Sequence, residues 1–139
     1  MIDIDALKIL KEAKLRPTKQ RVSLISNIYK YGNRHVNAES LHKEILDTGD
    51  KVSLATVYNT LHNLTNLGFL RQVKVNSSQN YFDTNITEHH HFFDEDTNEL
   101  IDCSNDDIDS INVKQNITGK KIKSVEVLIK VATDNQTQK

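Results

Sequence analysis

Ser53-Leu-Ala-Thr-Val-Tyr-Asn-Thr-Leu-His-Asn-Leu-Thr-Asn-Leu-Gly68 is the stretch on which the fold turns. Leu54, Val57, Leu61, Leu64 and Leu67 follow at intervals of 3, 4, 3 and 3, the spacing of one helical face. Ser53 is a helix-capping residue type, and Gly68 stands where a helix stop belongs. The other face shows Ala55, Thr56, Tyr58, Asn59, His62 and Asn63, with no acid among them. A solvated helix usually mixes Glu with Lys, whereas a groove-reading helix needs hydrogen-bonding groups and no carboxylate facing phosphates.

Upstream, Ile4, Leu7, Ile9, Leu10, Ala13 and Leu15 fit an amphipathic helix stopped at Arg16, because Pro17 disfavours helix in the residue before it. A second helix is expected from about Pro17-Thr18, with Val22, Ile25, Ile28 and Tyr29 on one stripe, ending at Gly32. Asn37 caps a third, with Leu41, Ile45 and Leu46 inward, ending near Gly49. Downstream, Leu70–Val75 and Asn80–Asp83 read as strands around the polar turn Asn76–Gln79. Three helices followed by a hairpin is the winged helix-turn-helix order, which serves DNA binding and also protein-interaction modules.

Beyond the hairpin, Phe92-Phe93 and Leu100-Ile101 are short apolar segments separated by a turn over Asp94–Asn98. Asn105–Ile111 is compatible with a short helix. Ile122–Val131 reads as a strand, with Val125, Val127, Ile129 and Val131 alternating with Ser124, Glu126, Leu128 and Lys130. The expected fold class is α+β: an N-terminal winged helix-turn-helix over residues 1–84 and a small C-terminal α/β domain over 85–134, for which the family resemblance given below implies a hinge at the end of the first part and dimerisation through the second. Residues 135–139 read as a frayed tail.

Composition narrows the function classes. Two domains within 139 residues are each too small to bury a generous core, so association with a partner subunit is expected. Residues 1–75 hold 12 of the 18 Lys and Arg against 7 acids, while residues 76–139 hold 6 Lys against 12 acids. A basic front half and an acidic rear half suit a polyanion reader joined to a part that does not touch the polyanion. No apolar run approaches the ~20 residues of a membrane span, and the opening Met1-Ile-Asp-Ile-Asp5 is acidic where a signal peptide is basic. The single cysteine, Cys103, leaves no intrachain disulfide and no all-cysteine zinc cage. A cytoplasmic protein is expected.

His89-His90-His91 carries the metal chemistry. In an extended segment His89 and His91 point one way and His90 the other. Two imidazoles on one face can hold a borderline divalent ion when other donors join them, and Asp83, Asp102 and His35 are candidates. A solvated polar turn is the competing reading. An enzyme is not expected: there is no HExxH, no nucleophile elbow, no Gly-rich phosphate loop, and only four glycines in all.

Ser53-Leu-Ala-Thr-Val-Tyr-Asn-Thr-Leu61, with Leu15-Arg-Pro-Thr-Lys-Gln-Arg21 before it and Tyr81-Phe-Asp83 and His89-His90-His91 after it, resembles the ferric uptake regulator family over about residues 7–131. The triple His with Phe92-Phe93 and Asn98-Glu-Leu100 is similar to its alphaproteobacterial iron response regulator branch. The resemblance implies a dimer that joins a winged helix to an α/β domain across a hinge holding regulatory Fe, Mn or Zn. The implied hinge ligands are His35, Asp83, His89, His91 and Asp102. A second metal or haem site would draw on Glu88, His90 and Asp109, with Val125 where another His is expected. Many relatives carry a Cys-x-x-Cys after the His cluster; Asp94 and Thr97 occupy those positions here, so a structural cysteine-held zinc site is absent.

The reading is thus a metal- or haem-responsive transcription regulator, mainly a repressor, of iron, haem or peroxide-stress genes. Its partner is a double-stranded operator; no membrane and no small-molecule substrate are expected. Thr56, Tyr58 and Asn59 are assigned to the groove, and Lys19 and Arg21 to phosphates. The alternatives are a haem-triggered switch without a regulatory divalent metal, and a winged-helix interaction module with incidental metal binding.

Overall fold

The computed structural model describes residues 6–104, 106–109 and 111–134. Contacts divide the chain into two compact units, Met1–Ile86 and Thr87–Lys139. Ile4 of the first expected helix and the tail at 135–139 lie outside the described residues.

The first unit opens with α1 (Ala6–Glu12), α2 (Lys19–Tyr29) and the two-residue strand β1 (His35–Val36). It continues with α3 (Ala38–Asp47), α4 (Leu54–Asn66), β2 (Arg71–Lys74) and β3 (Asn80–Asp83). Local chemistry sets each helix start. Thr18, Asn37 and Ser53 each turn a side-chain oxygen onto the backbone N–H three residues on, satisfying a donor that the helix itself leaves open. The stops are equally local. Phe69 N–H returns to the Leu64 carbonyl at 2.9 Å across Gly68, whose φ of 86° only glycine adopts without strain. α1 closes the same way, Leu15 N–H to Leu10 O, with Lys14 in the left-handed region at φ 56°.

Leu10, Leu24, Ile25, Ile28, Leu41, Ile45, Val57, Leu61, Leu64 and Phe82 form one buried core. Some expected inward residues are not in it: Leu7, Leu46, Leu54 and Leu67 are exposed. Leu54 and Leu67 stand at the two ends of α4, beyond the helices that cover its middle, while Leu46 is rotated away from the Leu41–Ile45 line. Thr60 takes a buried place on α4 instead. Tyr29 reaches from α2 to donate to the Phe69 carbonyl at 3.0 Å, and burial pushes its phenol up to about 12. The sheet has the order β1-β3-β2, all antiparallel, so the expected hairpin gains a third strand from the segment ahead of α3.

The second unit contains β4 (His90–Asp94), β5 (Glu99–Cys103) and β6 (Leu128–Val131), in the order β5-β4-β6. β4 and β5 form an antiparallel hairpin whose turn is held by Asp94 Oδ1, accepting from Asp96 N–H at 2.9 Å, and by Asn98 at φ 61°. β6 runs parallel to β4. It is shorter than the alternation over 122–131 suggests: only 128–131 pair, and Val125 is exposed. The expected helix over 105–111 is a turn at Asp106–Asp107, with Asn105 and Ser110 outside the described residues. Among the described residues of this unit, Phe93, Leu100, Cys103 and His91 are buried. No helix among the described residues is long and apolar enough to cross a membrane.

Candidate metal centre and nucleic-acid interface

Each unit builds its own cluster of metal-competent ligands. In the first, antiparallel pairing of β1 with β3 sets His35 directly across from Asp83. The His35 Nε2 and Asp83 Oδ2 atoms lie 3.1 Å apart. Asp83 is buried, and its Oδ1 accepts the Asn85 N–H at 2.8 Å, which fixes the carboxylate's orientation. The strand carrying His35 is itself anchored. Arg34 donates in a fork to both Glu44 oxygens, at 3.1 and 2.9 Å, and also to the carbonyls of Asn27 and Ile28. Its backbone N–H donates to Thr84 Oγ1 at 2.8 Å, so β1 and the end of β3 are tied on both sides of the His35–Asp83 pair. Arginine suits this place because its planar fork matches a carboxylate and still leaves donors for carbonyls.

In the second unit, β4 and β5 set His91 opposite Asp102. Asp102 Oδ1 lies 3.2 Å from His89 Nε2 and 3.4 Å from His91 Nε2, and the two imidazole centroids are 4.4 Å apart. His89 Nδ1 lies 2.6 Å from the Thr87 carbonyl; with its N–H there, Nε2 keeps the lone pair a metal requires. His90 is used differently. Its Nδ1 accepts the Val127 N–H at 3.0 Å, joining β4 to the residue before β6. Glu88 and Asp109 are exposed. Among the described residues, Glu88, His90 and Asp109 form no group close enough to share an ion.

The donor chemistry fits a divalent metal: a His and a carboxylate in one unit, two His and a carboxylate in the other, all nitrogen and oxygen. The sole cysteine, Cys103, is buried, with its thiol pushed up by burial and then by the Asp107 charge, the reverse of what a thiolate ligand needs. Asp94 and Thr97 sit in the β4–β5 turn, where hydrogen bonds to Asp94 Oδ1 and from Thr133 to Asp96 hold the loop.

The sequence pattern of the ferric uptake regulator family matches residues 12–131. The chain belongs to the ferric uptake regulator family. Members are DNA-binding, metal-responsive transcription regulators, not enzymes. The chain is 31% identical over 102 residues to the ferric uptake regulation protein of Shigella flexneri, covering 73% of this chain and 69% of that one. Its fold is similar to that of the Pseudomonas aeruginosa ferric uptake regulator determined with manganese, at TM-score 0.69 and 20% identity, over 94% of this chain and 98% of the other. It is similar as well to the Vibrio cholerae ferric uptake regulator, at TM-score 0.70 and 19% identity, over 93% and 100% of the two chains.

The acid-free face of α4 meets an acid from elsewhere in the fold. Tyr58 and Asn59 are exposed and Thr56 is half-buried, with Thr56 Oγ1 accepting from the capping Ser53 hydroxyl at 2.8 Å. The Tyr58 hydroxyl, however, donates to Glu39 of α3. The face that carries no acid in its own sequence therefore receives one from the neighbouring helix. Glu39 was invisible to a reading of α4 alone, and its signal lay in the first turn of the preceding helix. Lys19 is exposed at the start of α2, while Arg21 is half-buried and its Nη1 donates to the Arg16 carbonyl at 3.1 Å.

Proposed function

We propose that this chain is a homodimeric transcription regulator whose affinity for a partly palindromic DNA operator is set by one divalent ion, Fe, Mn or Zn, held by His35, Asp83, His89, His91 and Asp102. The observation that carries the reading is the His35–Asp83 pair, a ligand pair built into the sheet of the DNA-binding unit itself. Asp83 and His89 are six residues apart in the chain, a span of at most about 20 Å when extended. The linker is thus short enough to confine the second ligand set to the neighbourhood of the first. When bound, the ion would supply positive charge that offsets the two carboxylates, Asp83 and Asp102, and would fix the angle between the units. His35 and Asp83 report from the DNA-binding side, and His89, His91 and Asp102 from the other. Iron, haem or peroxide-defence genes are the targets we assign, with repression the main output. The run His89–Phe93 with Asn98–Leu100 favours the iron response regulator branch.

On the DNA side, Tyr58, Thr56 and Asn59 face bases while Lys19 and Arg21 meet phosphates. Fluorescence anisotropy on duplex DNA, with Mn(II) and with chelator, tests the switch. Tyr58→Ala should weaken operator binding by ~1–3 kcal/mol and leave random duplex nearly unchanged, because a lost base-edge contact acts only where the base is right. Lys19→Ala should weaken both alike and flatten the salt dependence. Unchanged operator affinity for Tyr58→Ala would remove α4 from the groove.

Assembly is supported by apolar surface left uncovered in one chain. Ile101, Ile117, Ile122, Val125 and Val131 are all exposed in the second unit. β6 is an edge strand, and an unpaired edge beside apolar surface calls for a cover. Ile129→Asp should give monomer or aggregate in light scattering, since a buried unpaired charge is strongly disfavoured. A monodisperse monomer for the unaltered chain would refute the dimer.

A further inference from the structure

Glu39 lies in the first turn of α3, next to the buried Ala38, and takes the hydrogen of the Tyr58 phenol on α4. The phenol ring is held as well as its hydroxyl. It lies nearly parallel to His62, centroids 6.4 Å apart, and His62 meets the buried Phe82 edge-on at 5.5 Å. The side chain that the proposed function sends into the groove is thus positioned by α3, by its own helix and, through His62, by β3. The Glu39 hydrogen bond, with a little desolvation and the carboxylate's charge, raises the Tyr58 pKa, so the phenol keeps the proton that it donates to Glu39.

The consequence is a donor–acceptor count. A tyrosine hydroxyl has one hydrogen to give, and an ionised carboxylate has none. With that hydrogen committed to Glu39, the pair shows only lone pairs to the outside. In the major groove adenine N6 and cytosine N4 present N–H donors, whereas guanine N7 and O6 and thymine O4 present acceptors. An acceptor-only pair bonds the first two and repels the others. Its negative charge also repels phosphates, which penalises binding wherever the compensating amino group is missing.

We propose that Glu39 is a specificity residue: with Tyr58 it forms an acceptor-only pair that selects the exocyclic amino group of adenine or cytosine at the base reached by Tyr58, and rejects guanine and thymine there. This rests on the reading that α4 enters the groove, and the test separates the two. Selection from a random-core duplex library, with and without Mn(II), would be run on the unaltered chain, Glu39→Gln and Tyr58→Phe, each checked for an unchanged thermal transition. Glutamine still accepts from Tyr58 through its carbonyl but adds an N–H donor and removes the charge. The expected result is an adenine or cytosine preference of about tenfold at one position of each half-site, lost or turned toward guanine or thymine in Glu39→Gln. Tyr58→Phe should relax the same position and spare the rest of the motif. If Tyr58→Phe changes one position and Glu39→Gln changes none, or a different one, the specificity proposal is overturned while α4 keeps its place in the groove. If neither variant alters the selected motif, the groove assignment of Tyr58 falls with it.

Discussion

His91→Ala is expected to lower Mn(II) affinity by roughly a hundredfold or more and to uncouple DNA binding from metal, since even partners one shell out from a metal cost 10–100-fold. The nitrogen removed is one of two that converge on Asp102 Oδ1, so the same change also strips a neighbour from that carboxylate. His90 is the control, because it is adjacent in sequence and yet occupied by the Val127 N–H. His90→Asn keeps an acceptor at about the place of Nδ1, so the β4–β6 link survives and Mn(II) affinity should stay close to that of the unaltered chain. The measurement is a calorimetric Mn(II) titration of both variants beside a haemin titration followed by absorbance. A haemin spectrum altered in His90→Asn alone would favour the haem-responsive alternative for His90. Equal losses of Mn(II) affinity in the two variants would mean that the three histidines act as a loose cluster, and the five-ligand site would have to be abandoned.

Phe82→Ala should come close to unfolding the first unit, with a loss of ~3–5 kcal/mol against a total stability of order 5–15 kcal/mol for a domain. Phe82 is the largest of the fully buried side chains, and β3, its strand, is the central one of the β1-β3-β2 sheet. Its ring also backs His62 on the outer face of α4, so truncation opens a cavity and loosens that face together. Urea denaturation at fixed protein concentration reads the effect, concentration being held because a dimer's apparent stability depends on it. Val57→Ala, which removes less volume from the same core, provides the scale. A Phe82→Ala chain as stable as the unaltered one would show that the core is not organised around β3.

Much of this was legible in the residues. The four helices carry their own punctuation: caps at Thr18, Asn37 and Ser53, stops at Gly49 and Gly68. Such signals act within one turn of chain, which is why the sequence places them well. Strand alternation separates His90 from His89 and His91, and the latter two do lie on Asp102; the Val127 N–H that His90 accepts is not foretold by it. The alternation over 122–131 outruns the strand at Leu128–Val131, because alternation records which side chains would share a face and not how much of the segment finds a partner to pair with.

The sequence by itself determined the winged-helix order and the nitrogen and oxygen character of the proposed metal ligands, since it offers a single cysteine. Tertiary structure decided two things. β1 is two residues long, too short to leave a periodic pattern, and it exists because β3 offers it hydrogen bonds; only that register puts His35 opposite Asp83. The second is the carboxylate beside Tyr58. Nothing in α4 foretells it, because Glu39 and Tyr58 are 19 residues apart and meet only through the packing of α3 on α4. Capping and periodicity are local free energies, settled by neighbours in the chain. Register and helix packing are settled by surfaces that meet only once the chain has folded.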